Sequence, residues 1–173
     1  MNALTRTATA LVCMAAPLLA LAQPGATESL PGVDDLWEAQ SIPARRIEGL
    51  WDEHVTIRNC KTGVALATLR ATNLFIRGGA LNAVNAAPPM SASPTYGQWW
   101  HEGQGINFGA KMRFFRFNPD GSYSGIREIS REITLDEDAN ALTGTVDAQD
   151  YDTNDNLIQV ICATETGTRV QSP

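Results

Sequence analysis

Short runs of β-branched and aromatic residues, separated by turn residues, fill the chain from Gly49 onward. Because no part of this region keeps a helical period beyond about two turns, the pattern predicts an all-β fold. The segments 118–121 (Asn-Pro-Asp-Gly) and 152–155 (Asp-Thr-Asn-Asp) are typical of tight turns between antiparallel strands. We place eight strands at 50–60, 64–77, 79–86, 97–108, 111–118, 122–135, 141–150 and 156–165.

The first 22 residues have the pattern of a secretory signal peptide. Arg6 stands near the start, an apolar run covers 10–21, and Ala-Leu-Ala at 20–22 forms a small-x-small cleavage site. We therefore divide the chain into a signal peptide (1–22), an N-terminal arm (23–48) with a short helix at 34–40, and a β-barrel domain (49–173). This organisation predicts a periplasmic or secreted protein.

The cysteines favour a barrel over a sandwich. Of the three cysteines, Cys13 lies in the predicted leader, which leaves Cys60 and Cys162 to pair in an oxidising compartment. Cys60 ends the first predicted strand and Cys162 lies in the last. A bridge between them would join the two ends of the strand order, as an eight-stranded antiparallel up-and-down barrel permits.

Charge and composition exclude several classes of function. The formal net charge of −6 repels nucleic acid, and no segment after the leader is long and apolar enough for a membrane span. The sequence has two histidines and no phosphate loop, dinucleotide fingerprint or Gly-x-Ser-x-Gly elbow. We expect no metal and no cofactor. The composition does not determine the oligomeric state.

Gly49-Leu50-Trp51 at the start of the first strand and Arg169 after the last resemble the lipocalins and the wider calycin group. The resemblance implies an eight-stranded barrel with one open end, an interior cavity for an apolar small molecule, and a late Arg packed on the Trp. The chain also resembles the small barrels of the allene oxide cyclase group, which would imply cofactor-free cyclisation or isomerisation.

The segment 97–105 holds the candidate catalytic residues, His101 and Glu102, next to Trp99 and Trp100. If Trp99 and His101 face inward, the imidazole is placed to act as an acid or base in an aromatic cavity. If Trp100 and Glu102 face inward, a desolvated carboxyl takes that role. Packing of the two indoles in the core is the alternative interpretation.

Four arginines alternate with apolar residues on the two strands around the turn at 118–121; they are Arg113, Arg116, Arg127 and Arg131. Pairing with Glu128 and Glu132 on the outer face accounts for most of them. An inward Arg116 or Arg127 would anchor the carboxylate of a fatty-acid-like ligand. The acidic segment 147–156 lacks the Gly and Glu of a calcium-binding EF-hand loop, so we expect a solvated hairpin tip there.

These observations favour an exported barrel that binds a small apolar or amphipathic molecule in its lumen, with Trp99, Trp100, Arg116 and Arg127 as candidate contacts. A cofactor-free isomerase, cyclase or lyase that uses His101 or Glu102 is the first alternative. The second is a barrel whose lumen is filled by side chains, with function on the rim loops around 86–96.

Overall fold

The computed structural model describes residues 45–103 and 105–171. The predicted signal peptide and helix at 34–40 lie outside the described residues. The strands are β1 (Gly49–Arg58), β2 (Ala65–Ile76), β3 (Ala80–Asn85), β4 (Thr95–His101), β5 (Asn107–Phe117), β6 (Tyr123–Leu135), β7 (Ala141–Tyr151) and β8 (Leu157–Arg169).

Each strand pairs with the next in antiparallel register, and β1 pairs with β8, so the sheet closes into a barrel. The prediction of an all-β, eight-stranded antiparallel up-and-down barrel is confirmed. Among the described residues no helix is long and apolar enough to cross a membrane.

A disulfide joins the ends of the strand order. Cys60 follows β1, Cys162 lies in β8 opposite Arg58, and the two Cα atoms are 5.2 Å apart. The predicted Cys60–Cys162 bridge is therefore present. It closes the chain where its first and last strands meet.

The prediction of one strand over 97–108 was wrong. The chain leaves β4 after His101 and re-enters the sheet at Asn107 as β5, which runs antiparallel to β4. Gly103 and Gly105 both have positive φ, at 71° and 92°, which allows the reversal. Glu102 consequently lies in a connection between two strands.

Apolar side chains fill the barrel end at which β1 begins and β2 ends, which we call the plugged end. Trp51 lies at its centre with no exposed surface, and its indole N–H donates to the Ile47 carbonyl at 2.8 Å. The edge of the Phe75 ring packs against Trp99. The remaining members of this plug are Leu81, Phe108, Ala110, Ile133, Leu135, Ala139 and Leu142. Packing here excludes a ligand, so space for one lies toward the opposite, open end.

Candidate functional site

A cavity of about 90 Å³ lies inside the barrel between the plug and the open end. Period-two alternation brings one side chain in every two from each strand toward it. Its walls are mainly apolar; the apolar lining side chains are Val55, Ile57, Leu69, Ala71, Ala83, Val84, Met112, Phe114, Ile129, Val146, Ala148, Ile161 and Ala163. We call this space the chamber.

Arg131 forms the floor of the chamber. Its side chain reaches from β6 to β8, where Nε donates to Glu165 Oε1 at 3.0 Å, and to β1, where Nη2 donates to Glu53 Oε2 at 2.8 Å. A longer bond of 3.3 Å connects Nη1 to Asn73 Oδ1 on β2. The guanidinium also lies 5.7 Å from the centre of the Phe75 ring, so it separates the plug from the chamber.

Two glycines make room for the floor carboxyls. A methyl group at Gly144 would lie 2.6 Å from Glu165 Oε1 and 2.5 Å from the Glu132 carbonyl oxygen. At Gly167 it would lie 2.8 Å from Glu53 Cγ. Glu165 and Glu53 therefore fit inside the barrel because Gly144 of β7 and Gly167 of β8 have no side chain at these contacts.

The floor holds two carboxyl groups and one guanidinium, all within fully buried side chains. Burial raises the pKa of Glu165 to about 7, against the attraction of Arg131, and it raises the pKa of Glu53 as well. The charge of Glu53 also disfavours ionisation of Glu165. A single guanidinium balances one carboxylate, so near neutral pH the pair holds or releases one proton.

One oxygen of this floor lacks a protein partner. Glu53 Oε1 is buried and accepts no hydrogen bond from residues 45–103 or 105–171, although Glu53 Oε2 is bound by Arg131. Glu53 is one of the residues that line the chamber. A buried carboxylate oxygen without a donor is costly, since it has lost its hydration.

A second charged group lies nearer the open end, and we call it the rim. Arg127 donates from Nε and Nη2 to the two carboxylate oxygens of Asp150, at 2.6 and 2.8 Å, and packs over the Phe114 ring. Arg116 Nε lies 3.4 Å from the same carboxylate. The rim therefore carries two positive charges and one negative, the reverse of the floor.

The two candidate tryptophans lie on opposite faces of β4. Trp99 is buried in the plug, where its N–H donates to the Ile76 carbonyl at 2.9 Å. Trp100 is 42% exposed and covers Gly109 on the outer face. The expectation that Trp100 faces the lumen was wrong, because successive side chains of a strand point to opposite faces.

Neither candidate acid or base lines the chamber. His101 ends β4, with Nε2 3.0 Å from the Gly105 carbonyl oxygen and its ring against Phe108 at the plugged end. Glu102 is exposed in the following connection. The expected placement of these two groups inside an aromatic cavity is not observed, while their catalytic role stays a prediction.

Of the four arginines, Arg131 also faces inward, although the sequence pattern named only Arg116 and Arg127 as inward candidates. It shares its face of β6 with Arg127 and Ile129, and together these three side chains line the chamber. The sequence of the first strand indicates its partner, because Glu53 lies two positions after Trp51 and so on the same face of the strand. A face that carries Trp51 must bury position 53 as well.

The expectation of a solvated hairpin tip over 147–156 does not hold for Asp150. Its side chain is buried at the rim, whereas the tip itself is closed by Asp152, which accepts from the backbone N–H groups of Asn154 and Asn156. Among the residues that the structure describes, no group of three or more His, Cys, Asp or Glu side chains is arranged to hold a metal ion.

The contact implied by the lipocalin resemblance is present. The Arg169 guanidinium lies 4.5 Å from the centre of the Trp51 ring, and Arg169 Nε donates to the Ala139 carbonyl at 2.7 Å. The closed eight-stranded barrel is compatible with that resemblance. No family model matches the chain, and no curated protein matches it.

Proposed function

We propose that this barrel binds a small apolar or amphipathic molecule in the chamber. The observation that carries the proposal is an apolar space left between two charged layers, the floor around Arg131 and the rim around Asp150. Mostly apolar walls with a few convergent polar groups are the usual composition of a small-molecule site. The charged groups supply orientation and the walls supply most of the affinity.

The size of the chamber limits the ligand. A buried water needs roughly 10–15 Å³ of such space, so a volume of about 90 Å³ suits a molecule of few heavy atoms. A long acyl chain would extend past Arg127 into the open end. We therefore favour a compact ligand over a lipid.

The rim supports binding of a polar or anionic group at the mouth. Arg116 and Arg127 share one carboxylate, and Arg116 Nη1 is buried without a hydrogen-bond partner among residues 45–103 and 105–171. This unpaired donor and the excess positive charge favour an acceptor on the ligand. The proposed roles of Arg116 and Arg127 as anchors rest on this arrangement.

Filling the chamber tests the proposal. The probe is n-pentanol, titrated calorimetrically into the oxidised protein. Ala148→Leu adds bulk inside the chamber, whereas Ala80→Leu makes the same change at an exposed position of β3. We expect Ala148→Leu to weaken binding about tenfold and Ala80→Leu to leave it unchanged. Equal affinities in the two variants would exclude the chamber as the site.

A cofactor-free isomerase, cyclase or lyase is the second candidate function. The observation that favours it is the buried carboxyl of Glu165, whose pKa of about 7 suits a general acid or base at neutral pH. The sequence pattern favours His101 or Glu102 for this role, but neither residue lines the chamber. A nitrobenzisoxazole tests it, because its ring opens when a base removes one proton. Turnover lost in Glu165→Gln but kept in His101→Ala and Glu102→Ala would support a catalytic chamber.

We also propose that the protein is exported to the periplasm or secreted. The Cys60–Cys162 disulfide and the signal-peptide pattern of residues 1–22 support this. Maleimide labelling of the denatured protein, taken directly from its own cells, tests it. We expect no labelling of Cys60 or Cys162 without a reductant, and labelling of both would contradict export.

A further inference from the structure

The floor of the chamber lacks one positive charge. Arg131 lies between Glu53 and Glu165, with its nitrogens 2.8 and 2.9 Å from the nearest carboxylate oxygens. When both carboxyls are ionised the group carries one net negative charge, out of contact with water. A buried excess charge of this kind is stable only when another cation or a proton balances it.

The position for that balancing charge is defined by Glu53 Oε1. This oxygen is buried, belongs to a side chain that lines the chamber, and has no partner among the described residues. Arg131 already occupies the other oxygen of the same carboxylate. A donor that approaches from the chamber would therefore meet a free acceptor on a negatively charged group.

We propose that the chamber is selective for a small molecule with a protonated amine at one end and a compact apolar body, with the ammonium bound to Glu53 Oε1. The ammonium supplies the missing positive charge and the missing hydrogen bond together. The apolar body then contacts Val55, Met112 and Ile129. This inference deepens the proposed function and rests on it.

Protons compete with such a ligand for the floor. The ionisable groups that face it are Glu53 from β1, Arg131 from β6 and Glu165 from β8; the rim lies farther up, with Arg116 from β5, Arg127 from β6 and Asp150 from β7. The side chains that the other strands contribute to the chamber wall are neutral, among them Asn73 from β2, Ala83 from β3, Thr95 from β4, Met112 from β5 and Val146 from β7. Binding of an ammonium should therefore release a proton from the carboxyl pair.

Three probes of equal length separate the possibilities: n-pentylamine, n-pentanol and n-pentanoate, each titrated calorimetrically into the oxidised protein at pH 5.5 and 8. An alkylamine stays protonated across this range, as a lysine side chain does. We expect n-pentylamine to bind at least about tenfold more tightly than n-pentanol at pH 8. Burial raises the pKa of both floor carboxyls, that of Glu165 to about 7, so protons should weaken the binding of n-pentylamine at least about tenfold at pH 5.5.

Glu53→Gln removes the charge of the acceptor and keeps its shape. We expect it to weaken n-pentylamine about tenfold, the effect of one lost charge-assisted hydrogen bond, and to leave n-pentanol unchanged. Glu128→Gln makes the same change on the exposed outer face of β6 and should alter neither. Both variants keep the packing volume, so circular dichroism and urea midpoints verify that they fold.

Proton release provides a readout that a purely structural carboxylate would not change. Titration at pH 6 in two buffers of different ionisation enthalpy should show close to one proton released per bound amine, and Glu53→Gln should abolish it. If n-pentanol binds as tightly as the amine, the ammonium preference is overturned and the chamber remains a binding site. If n-pentanoate binds best, the rim arginines select the ligand instead. If none of the three binds, both proposals fail.

Discussion

The two ends of the barrel are stabilised in different ways. The plugged end is packed with apolar side chains around Trp51 and has no room for a ligand. The open end lacks such a core and is held by the Cys60–Cys162 bridge and by Asp150 with its two arginines. Between them, the buried floor forms a polar layer beneath the chamber. Apolar packing is thus concentrated at the plugged end, whereas a covalent bond and ion pairs hold the opposite end and leave space inside the barrel.

The bridge at the open end should make the largest contribution. Cys60 and Cys162 are 102 positions apart in the sequence, and closing a loop of that length stabilises by about 4–5 kcal/mol in the chain-entropy model. We expect Cys60→Ser with Cys162→Ser to lower the free energy of unfolding by that amount in urea titrations. A loss below about 1 kcal/mol would show that the open end does not need the bridge.

Removal of the central indole should damage the plugged end nearly as much. Trp51→Ala deletes a fully buried side chain, its hydrogen bond to Ile47 and its contact with Arg169. Such truncations cost about 3–5 kcal/mol. Trp100→Ala, on the exposed face of β4, should cost less than about 1 kcal/mol. Equal losses in the two variants would contradict the packed plug.

Arg131→Met tests whether the floor is an ionic layer. The variant leaves two buried carboxyls without their cation, which costs about 3 kcal/mol at pH 8, the low part of the usual range because both groups can take up protons. At pH 5.5 protonation should remove most of this loss. Urea titrations at both pH values measure it, and a loss independent of pH would show that only packing was removed.

Glu165→Gln should change the pH dependence of stability. The folded-state pKa of Glu165 is raised from 4.5 to about 7, so its stabilising contribution is complete below pH 4.5 and is lost as the pH rises through 7. This loss is about 2–3 kcal/mol for the parent protein. The variant should lack it, whereas Glu128→Gln should keep it. Urea titrations from pH 4.5 to 7.5 measure the free energy of unfolding of all three proteins. The same pH dependence in all three would contradict a raised pKa of Glu165 in the floor.

The alternation of apolar and polar residues in the sequence predicted most of the strands of the barrel. The turns at 118–121 and 152–155 could be predicted because the residues of a tight turn themselves determine where it forms. The break between β4 and β5 was missed, since Gly103 and Gly105 also suit a bulge within one strand. The alternation of side chains along a strand predicted that Trp51 faces inward. The same rule, applied to Glu53, would have identified one of the two carboxyl groups of the floor.

The sequence by itself determined the all-β class, the strand count and the pairing of Cys60 with Cys162, because each depends on local pattern or on simple elimination. Only the tertiary structure decided that Arg131 meets Glu53 and Glu165, since their strands become neighbours across the lumen only when the barrel closes. It also decided which face of β4 points inward. Charge partners across a barrel lie far apart in the chain, so no local pattern encodes them.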